Sequence, residues 1–386
     1  MKALVLSGGG AKGSYQIGAW KALKKLHIKF DIVTGTSIGA LNGAMVTQNS
    51  YRRAISLWKK INLEVLFNET VDNSNDLEVM KLYGKTFLKQ GGMEVTEIEK
   101  IIKKELNYKK FYNSKINYGL VTLNLTTKKP VEISKKDIPK EKLADYLMAS
   151  ASCYPAFKQK EIDGNKYIDG GVIDNLPINL AIDLGADEII AIDLSAPGIT
   201  KKPKKNVKIT KVRPNNKLTN FLNFYEEGAK RNIKLGYNDT LKKFGKLEGK
   251  KYTFRLGTIE KNQKKHLTTF QYILEDILDS KKATETFKNL LHISKVETEE
   301  IANKMTLKVM EAVAKDLKLD ETKIYTERHF NKELKKNLKT LTSKEVDNIK
   351  EMIEEIKNHK KSLKKKALLN PWLFLKALYL YTICEV

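Results

Sequence analysis

Cysteine and histidine are scarce in this chain, and their scarcity narrows the chemistry open to it. The two cysteines, Cys153 and Cys384, stand far apart and form no CxxC pattern. They argue against a disulfide framework and suit a reducing compartment. The five histidines, His27, His266, His292, His329 and His359, show no neighbouring motif, and no His/Cys/Asp cluster has ligand spacing. No metal and no cofactor is therefore expected. Long apolar runs are also missing. Met1-Lys2 leads through the short run Ala3-Leu4-Val5-Leu6 directly into glycines. That run is too short for the apolar core of a secretory signal, so it reads as a first strand. The expected location is cytoplasmic, with peripheral attachment to the inner face of the membrane as a variant of it.

What is present is ample for a folded protein. Apolar residues make up 41% and charged residues 30% of 386, which permits a sizeable core and two or three domains. The net charge of +25 is unevenly spread. Residues 1–200 hold 28 Lys+Arg against 22 Asp+Glu, whereas residues 201–386 hold 43 against 24. A basic half of this kind favours an anionic partner, a membrane surface or a nucleic acid; a solvated lysine-rich surface is the alternative.

Hydrophobic periodicity divides the chain in two. Over the first 195 residues short apolar runs alternate with amphipathic stretches. Strands are expected at Ala3–Leu6, Phe30–Val33, Tyr118–Leu125, Val131–Ile133, Glu188–Ile192 and Val207–Val212. Helices are expected at Tyr15–Leu26, Ile38–Val46 and Thr219–Lys243. The alternation implies an α/β class fold, a mostly parallel sheet between helical layers. From about Leu267 the pattern is helical, with Leu274, Ile277 and Leu278, then Ile301, Met305, Val309 and Val313, at helical spacing. A boundary is expected near residue 255, giving domains 1–255 and 256–386. Residues 60–116, helical and set between motifs, are a candidate lid. The tail joins the basic run 360–366 to an apolar, aromatic helix capped by Asn370-Pro371. At about 14 residues that helix falls short of the roughly 20 a bilayer span needs. It suits either an anionic membrane surface or docking on the protein's own core.

Three motifs carry chemistry. Gly8-Gly9-Gly10-Ala11-Lys12-Gly13 follows a strand and precedes a helix, where glycines turn the backbone tightly and expose N–H groups to an anion. Its GxGxxG spacing invites a dinucleotide reading, but Asp31 opens the second strand rather than ending it. A Walker A loop fails on residue order, since Lys12-Gly13-Ser14 replaces Gly-Lys-Ser/Thr. Gly35-Thr36-Ser37-Ile38-Gly39 is a GxSxG between a strand and a helix, the context of a nucleophile elbow; an ordinary turn with Ser37 as helix cap is the alternative. A serine needs a base, and the histidines offer no obvious one. Asp169-Gly170-Gly171 places a carboxylate at a strand end, where partial desolvation raises its pKa toward that of a base. Asp163, in a hairpin-like Asp-Gly-Asn, and Asp174 compete with it, and Asp169-Gly170 also reads as a simple turn.

The three motifs in this order resemble the patatin-like phospholipase family, over about residues 1–250. The stretch Met148–Phe157, the stretch Asp169–Pro177, and Leu235-Gly236-Tyr237-Asn238-Asp239, similar to the domain end of bacterial members, extend the resemblance. It implies an α/β/α fold and a serine hydrolase with a Ser-Asp dyad. Ser37 is then the nucleophile and Asp169 its partner. Gly8, Gly9, Gly10 and Gly13 form the oxyanion loop, with Lys12 at its basic position. The implied substrate is a lipid ester, a phospholipid or lysophospholipid, and no nucleic-acid partner is expected. Two rivals stand beside this reading: an acyltransferase using the same dyad, and a non-enzymatic binder of anionic membranes.

Overall fold

The computed structural model describes residues 1–71, 75–264, 299–358 and 362–385. The chain divides into two compact units, Met1–Leu241 and Lys242–Val386. Of the positions singled out above, Leu274, Ile277, Leu278, His266, His292, His359, Lys360 and Lys361 lie outside the described residues.

The first unit is an α/β layer structure. Its strands are β1 (Lys2–Leu6), β2 (Ile32–Thr36), β3 (Asn117–Asn124), β4 (Lys129–Ser134), β5 (Lys160–Ile162), β6 (Asn165–Asp169), β7 (Glu188–Ile192) and β8 (Lys208–Val212). They form one sheet in the order β5-β6-β3-β2-β1-β7-β8, with β4 paired to β3. The five strands from β3 to β8 along this path run parallel, and the β3–β4, β3–β6 and β5–β6 pairs are antiparallel. The sheet is thus mostly parallel in its middle, as expected, with an antiparallel flank.

Strand β1 sits at the centre because Ala3 to Leu6 are apolar on both faces and fully covered. Its registers, Ala3 opposite Ile32 on one side and Ile189 on the other, align three buried strands. Ala3, Val5 and Ile32 face α10 (Ile178–Asp183), packing with Ile178, Ala181 and Ile182. On the other face Leu6, Val33 and Tyr118 meet Gly43 of α2 (Ile38–Thr47). Period-two alternation therefore separates two helical layers. Helix α1 (Ser14–Lys25) follows a 3-10 turn at Gly10–Gly13.

Between β2 and β3 lie five further helices: α3 (Tyr51–Trp58), α4 (Leu63–Phe67), α5 (Asp76–Gln90), α6 (Thr96–Glu105) and α7 (Tyr108–Tyr112). The last four occupy the stretch expected to be helical at 60–116, and α3 precedes it. Helices α8 (Leu143–Ala151) and α9 (Gly171–Asp174) flank the antiparallel strands. The helix expected from Thr219 begins only at Glu226, as α11 (Glu226–Lys243). Asn220 explains the late start. Its side chain accepts the Leu222 N–H at 3.1 Å, and its carbonyl accepts the Asn223 N–H at 3.1 Å, a local turn that competes with helix.

The second unit is mostly helical. It contains α12 (Glu299–Asp316), α13 (Glu327–Thr340), α14 (Lys344–Lys357), α15 (Leu363–Leu369) and α16 (Pro371–Glu385), with a two-residue parallel pair of β9 (Thr253–Phe254) and β10 (Ile324–Tyr325). Its core gathers Phe254, Tyr325, Phe330 and Leu334 with Phe374, Leu375, Leu378 and Leu380 of α16. The tail helix therefore docks on its own unit. Its cap is as expected, with Asn370 accepting the Leu373 N–H at 3.2 Å and Pro371 opening the helix. Among the described residues no helix is long and apolar enough to cross a membrane.

Candidate active site

Strand β2 runs out at Thr36, and Ser37 stands between it and α2 with φ 57° and ψ −128°. A β-carbon is disfavoured at such angles, so the surroundings must hold the residue there. They do so from several sides. The Ser37 N–H donates to Ser150 Oγ at 2.9 Å, and that hydroxyl donates to the Val121 carbonyl at 2.7 Å. The Thr36 hydroxyl donates to the Asp174 carbonyl at 2.7 Å. The turn also needs its flanking glycines. A β-carbon at Gly39 would lie 2.2 Å from the Leu6 carbonyl oxygen, and one at Gly35 2.3 Å from that of Gly39. Ile38 turns away from Ser37 into an apolar pocket lined by α2, α3 and α6 side chains. The strand–turn–helix context of a nucleophile elbow is thus present.

Asp169 ends β6, opposite Thr122 of β3. Its N–H donates to the Ser152 carbonyl at 2.9 Å. Its carboxylate accepts the Gly171 N–H at 2.7 Å and lines the same cleft as Ser37. Both Ser37 and Asp169 are 8% exposed, reachable but largely shielded from water. Burial pushes the Asp169 carboxyl up to about 6, against the opposing effect of the nearby Ser37 side chain and the Gly171 N–H. Gly170 packs against the Val121 carbonyl, and Gly171 against the Asp169 carboxylate itself. A serine that shares a cleft with a buried carboxylate pushed up to about 6 can lose its proton to that carboxylate during attack on a carbonyl.

The other acids stand elsewhere. Asp163 occupies the exposed β5–β6 turn with φ 49° and pairs with Lys142 at 2.6 Å. Asp174 is buried and also pushed up to about 6 by burial, but its carboxylate accepts the Leu176 N–H at 3.3 Å and does not line the cleft. His27 and His329 are exposed, and neither lines the cleft.

The glycine-rich turn faces Ser37 unevenly. The Gly8 N–H is taken by the Asn175 carbonyl at 3.0 Å, the Lys12 N–H by the Gly9 carbonyl at 3.1 Å and the Ala11 N–H by the Phe221 carbonyl at 2.8 Å. Gly13 is pressed under Ile38 and Trp58. Gly9 and Gly10, with φ 154° and 53°, line the cleft beside Ser37 and Asp169. Among the described residues neither of their N–H groups donates to another part of the protein. Lys12 is half-buried, and loss of solvent holds its ammonium below the usual lysine range.

The cleft has a volume of about 530 Å³, in the range of small-molecule sites, and its wall includes Tyr154, Phe157, Ile168, Val172, Ile199, Phe221 and Leu222. Several of its supports carried no signal in the sequence. Ser150 was visible only as one of several small residues in α8. The anchoring carbonyls of Asn175 and Phe221 are backbone groups and leave no trace in residue type.

Residues 4–182, a little under half of the chain, match the family model described as patatin-like phospholipase. Among curated proteins, the match to lysophospholipase nte1 of Aspergillus terreus is 30% identical over 205 residues, 50% of this chain and 12% of that protein. Patatin-like phospholipase domain-containing protein 7 of Rattus norvegicus is 31% identical over 198 residues, 50% of this chain and 14% of that one. The chain thus spans only a small fraction of the length of these relatives. Of solved structures, VipD from Legionella pneumophila aligns over 99% of this chain and 90% of its own, with a TM-score of 0.44 and 14% identity.

Proposed function

We propose that the chain is a serine acyl hydrolase acting on lipid esters, with a phospholipid or lysophospholipid as substrate. Ser37 is the nucleophile and Asp169 its base. The observation that carries this reading is that Ser37, at the strained strand-to-helix turn, lines one cleft with the buried carboxylate of Asp169, which burial pushes up to about 6. In the first half-reaction Asp169 accepts the hydroxyl proton as Ser37 Oγ attacks the ester carbonyl. The tetrahedral intermediate places its oxyanion at the N–H groups of Gly9 and Gly10, where each donor is worth about 3 kcal/mol. The helix N-terminus behind Ser37 favours the same negative charge. The ester C–O bond then breaks, the proton passes from Asp169 to the departing alkoxide, and an acyl-Ser37 ester remains. Water, deprotonated by Asp169, attacks that ester and releases the fatty acid, and the proton returns to Ser37.

The substrate class rests on the match to the patatin-like phospholipase family, on the Aspergillus relative being a lysophospholipase, and on the mixed aliphatic and aromatic wall of the cleft, which suits an acyl chain. The test is mass-spectrometric identification of products from a mixed lipid extract. Free fatty acid and the matching deacylated lipid should accumulate with the parent and not with Ser37→Ala. Products in which the acyl group reappears on a second lipid would replace hydrolysis by acyl transfer.

A further inference from the structure

Helix α5 presents two faces that differ in what covers them. On the inner face Tyr83 packs on Phe67 and Phe157, with ring centroids at 6.0 and 6.1 Å, and its hydroxyl donates to the Leu222 carbonyl at 3.1 Å. Val79 and Thr86 are buried on the same side. Phe157 and Leu222 line the cleft that holds Ser37, so α5 forms part of the wall behind it. On the outer face Leu77 is 71% exposed, Met80 43% and Leu88 85%. Gly84 stands between Met80 and Leu88 with nothing near it. Spacings of three, four and four put these four positions in one stripe along the helix.

A soluble surface has no use for a leucine that is 85% exposed in such a stripe, because a contiguous apolar patch marks an interaction site. Two further observations say what the partner is. Lys81, Lys85 and Lys89 are exposed at successive intervals of four, which places a cationic row directly beside the apolar stripe. Among the described residues none of the three forms an ion pair. The acids of the helix, Asp76 and Glu78, are confined to its first turn, and Asp76 is engaged by Asn223 at 2.9 Å. The apolar surface also continues from the helix toward the cleft. Phe87, between the two faces, meets Tyr154 edge-on with centroids 6.0 Å apart, and Tyr154, Val172 and Ile199 are exposed residues of the cleft wall.

We propose that the outer face of α5 is the docking surface for an anionic lipid bilayer, with Leu77, Met80 and Leu88 entering the interface and Lys81, Lys85 and Lys89 meeting its headgroups. An apolar stripe bordered by lysines is the pattern of a helix lying in the plane of an interface. Docking here sets the mouth of the cleft against the source of its substrate, and to that extent the inference rests on the proposed lipid-ester activity. It assigns membrane contact to α5 and not to the tail helix, whose apolar side chains are buried in their own unit.

The test uses the full chain and vesicles of phosphatidylcholine with or without phosphatidylglycerol, at low and high salt. Binding should require the anionic lipid and weaken with salt. Leu77→Asp/Leu88→Asp should lose vesicle binding, and Lys81→Glu/Lys85→Glu/Lys89→Glu should weaken it by roughly a hundredfold, since each basic residue near such a surface is worth about fivefold. Hydrolysis of a soluble short-chain ester should be unchanged in both variants. Parental vesicle binding by either variant overturns the inference, as does a parallel loss of soluble-ester turnover. A concentration-dependent dimer that the leucine variant abolishes, with no vesicle binding by the parent, overturns it in favour of a second copy as partner. A parent that binds anionic vesicles but cleaves no ester would leave the docking surface standing and sink the hydrolase reading instead.

Discussion

Asp169 is subject to two opposed requirements. In the proposed role of base it must be ionised, yet its burial disfavours the ionised form and pushes the carboxyl up to about 6. The consequences for activity and for stability have opposite signs. Turnover should rise as pH passes upward through about 6, because only the carboxylate takes the Ser37 proton. Stability should fall in the same direction. Between about pH 4 and pH 6 the folded chain holds a proton that the unfolded chain has released, so the free energy of unfolding declines as pH rises through that window and levels off above it. A displacement from an ordinary carboxylate value to about 6 corresponds to about 3 kcal/mol. Asp169→Asn should therefore lower turnover by about 100- to 10,000-fold while raising the unfolding midpoint at neutral pH. Chemical denaturation at pH 4 and pH 7, run beside the rate measurement, checks both signs. An Asn variant as active as the parent, or one less stable at pH 7, would contradict this account of the residue. Both backbone turns were legible in the sequence, because GxSxG and Asp-Gly-Gly mark turns that need particular residues. The hydroxyl of Ser150, which holds the Ser37 N–H, was not, since a serine among small helical residues has no distinguishing neighbour.

Among the elements, the central strands and first helices were legible to within three residues, because burial on both faces writes itself as continuous apolar runs. Glu188–Ile192 was expected and found with identical limits. The late start of α11 was hidden, because the Asn220 turn that delays it is a local polar choice that periodicity does not register. That irregular run has a use. It brings the Phe221 carbonyl to the Ala11 N–H at 2.8 Å and so pins the glycine-rich turn in place. Which N–H groups of that turn are left open depends on Asn175 and Phe221, partners more than 160 residues away in sequence. Hence the sequence marked five residues of the turn alike, whereas Gly9 and Gly10 alone among them line the cleft. Gly10→Ala tests the element. A β-carbon there would stand 2.0 Å from the Phe221 carbonyl oxygen, at a φ of 53° that suits glycine. The turn must shift, and kcat should fall by about 100- to 1,000-fold with KM little changed, because the donors act on charge that develops in the transition state. Steady-state kinetics separates the two constants, and a rise in KM at constant kcat would assign the turn to substrate binding.

At the scale of the whole molecule, two compact units share one chain, and the family match covers only part of the first. The excess of basic charge in the second half was plain from composition, but its arrangement was not. Part of it is neutralised within the unit: Lys366 pairs with Glu351 and Glu355, and Lys376 with Asp316. The apolar tail suited a membrane surface and core docking equally as a sequence, because both call for the same residue types. In the fold, Leu378 is fully buried among the side chains of its own unit. Leu378→Ala should therefore cost about 2–5 kcal/mol of stability, measured by denaturant unfolding of the full chain. An unchanged unfolding curve would return the tail to the membrane reading. Mass spectrometry of the intact protein after reaction with a fluorophosphonate tests whether Ser37 is a nucleophile activated by Asp169. The expected result is a single adduct that maps to Ser37, is absent in Ser37→Ala and forms far more slowly in Asp169→Asn. An adduct on another residue, or equal labelling of Ser37→Ala and the parent, would contradict it.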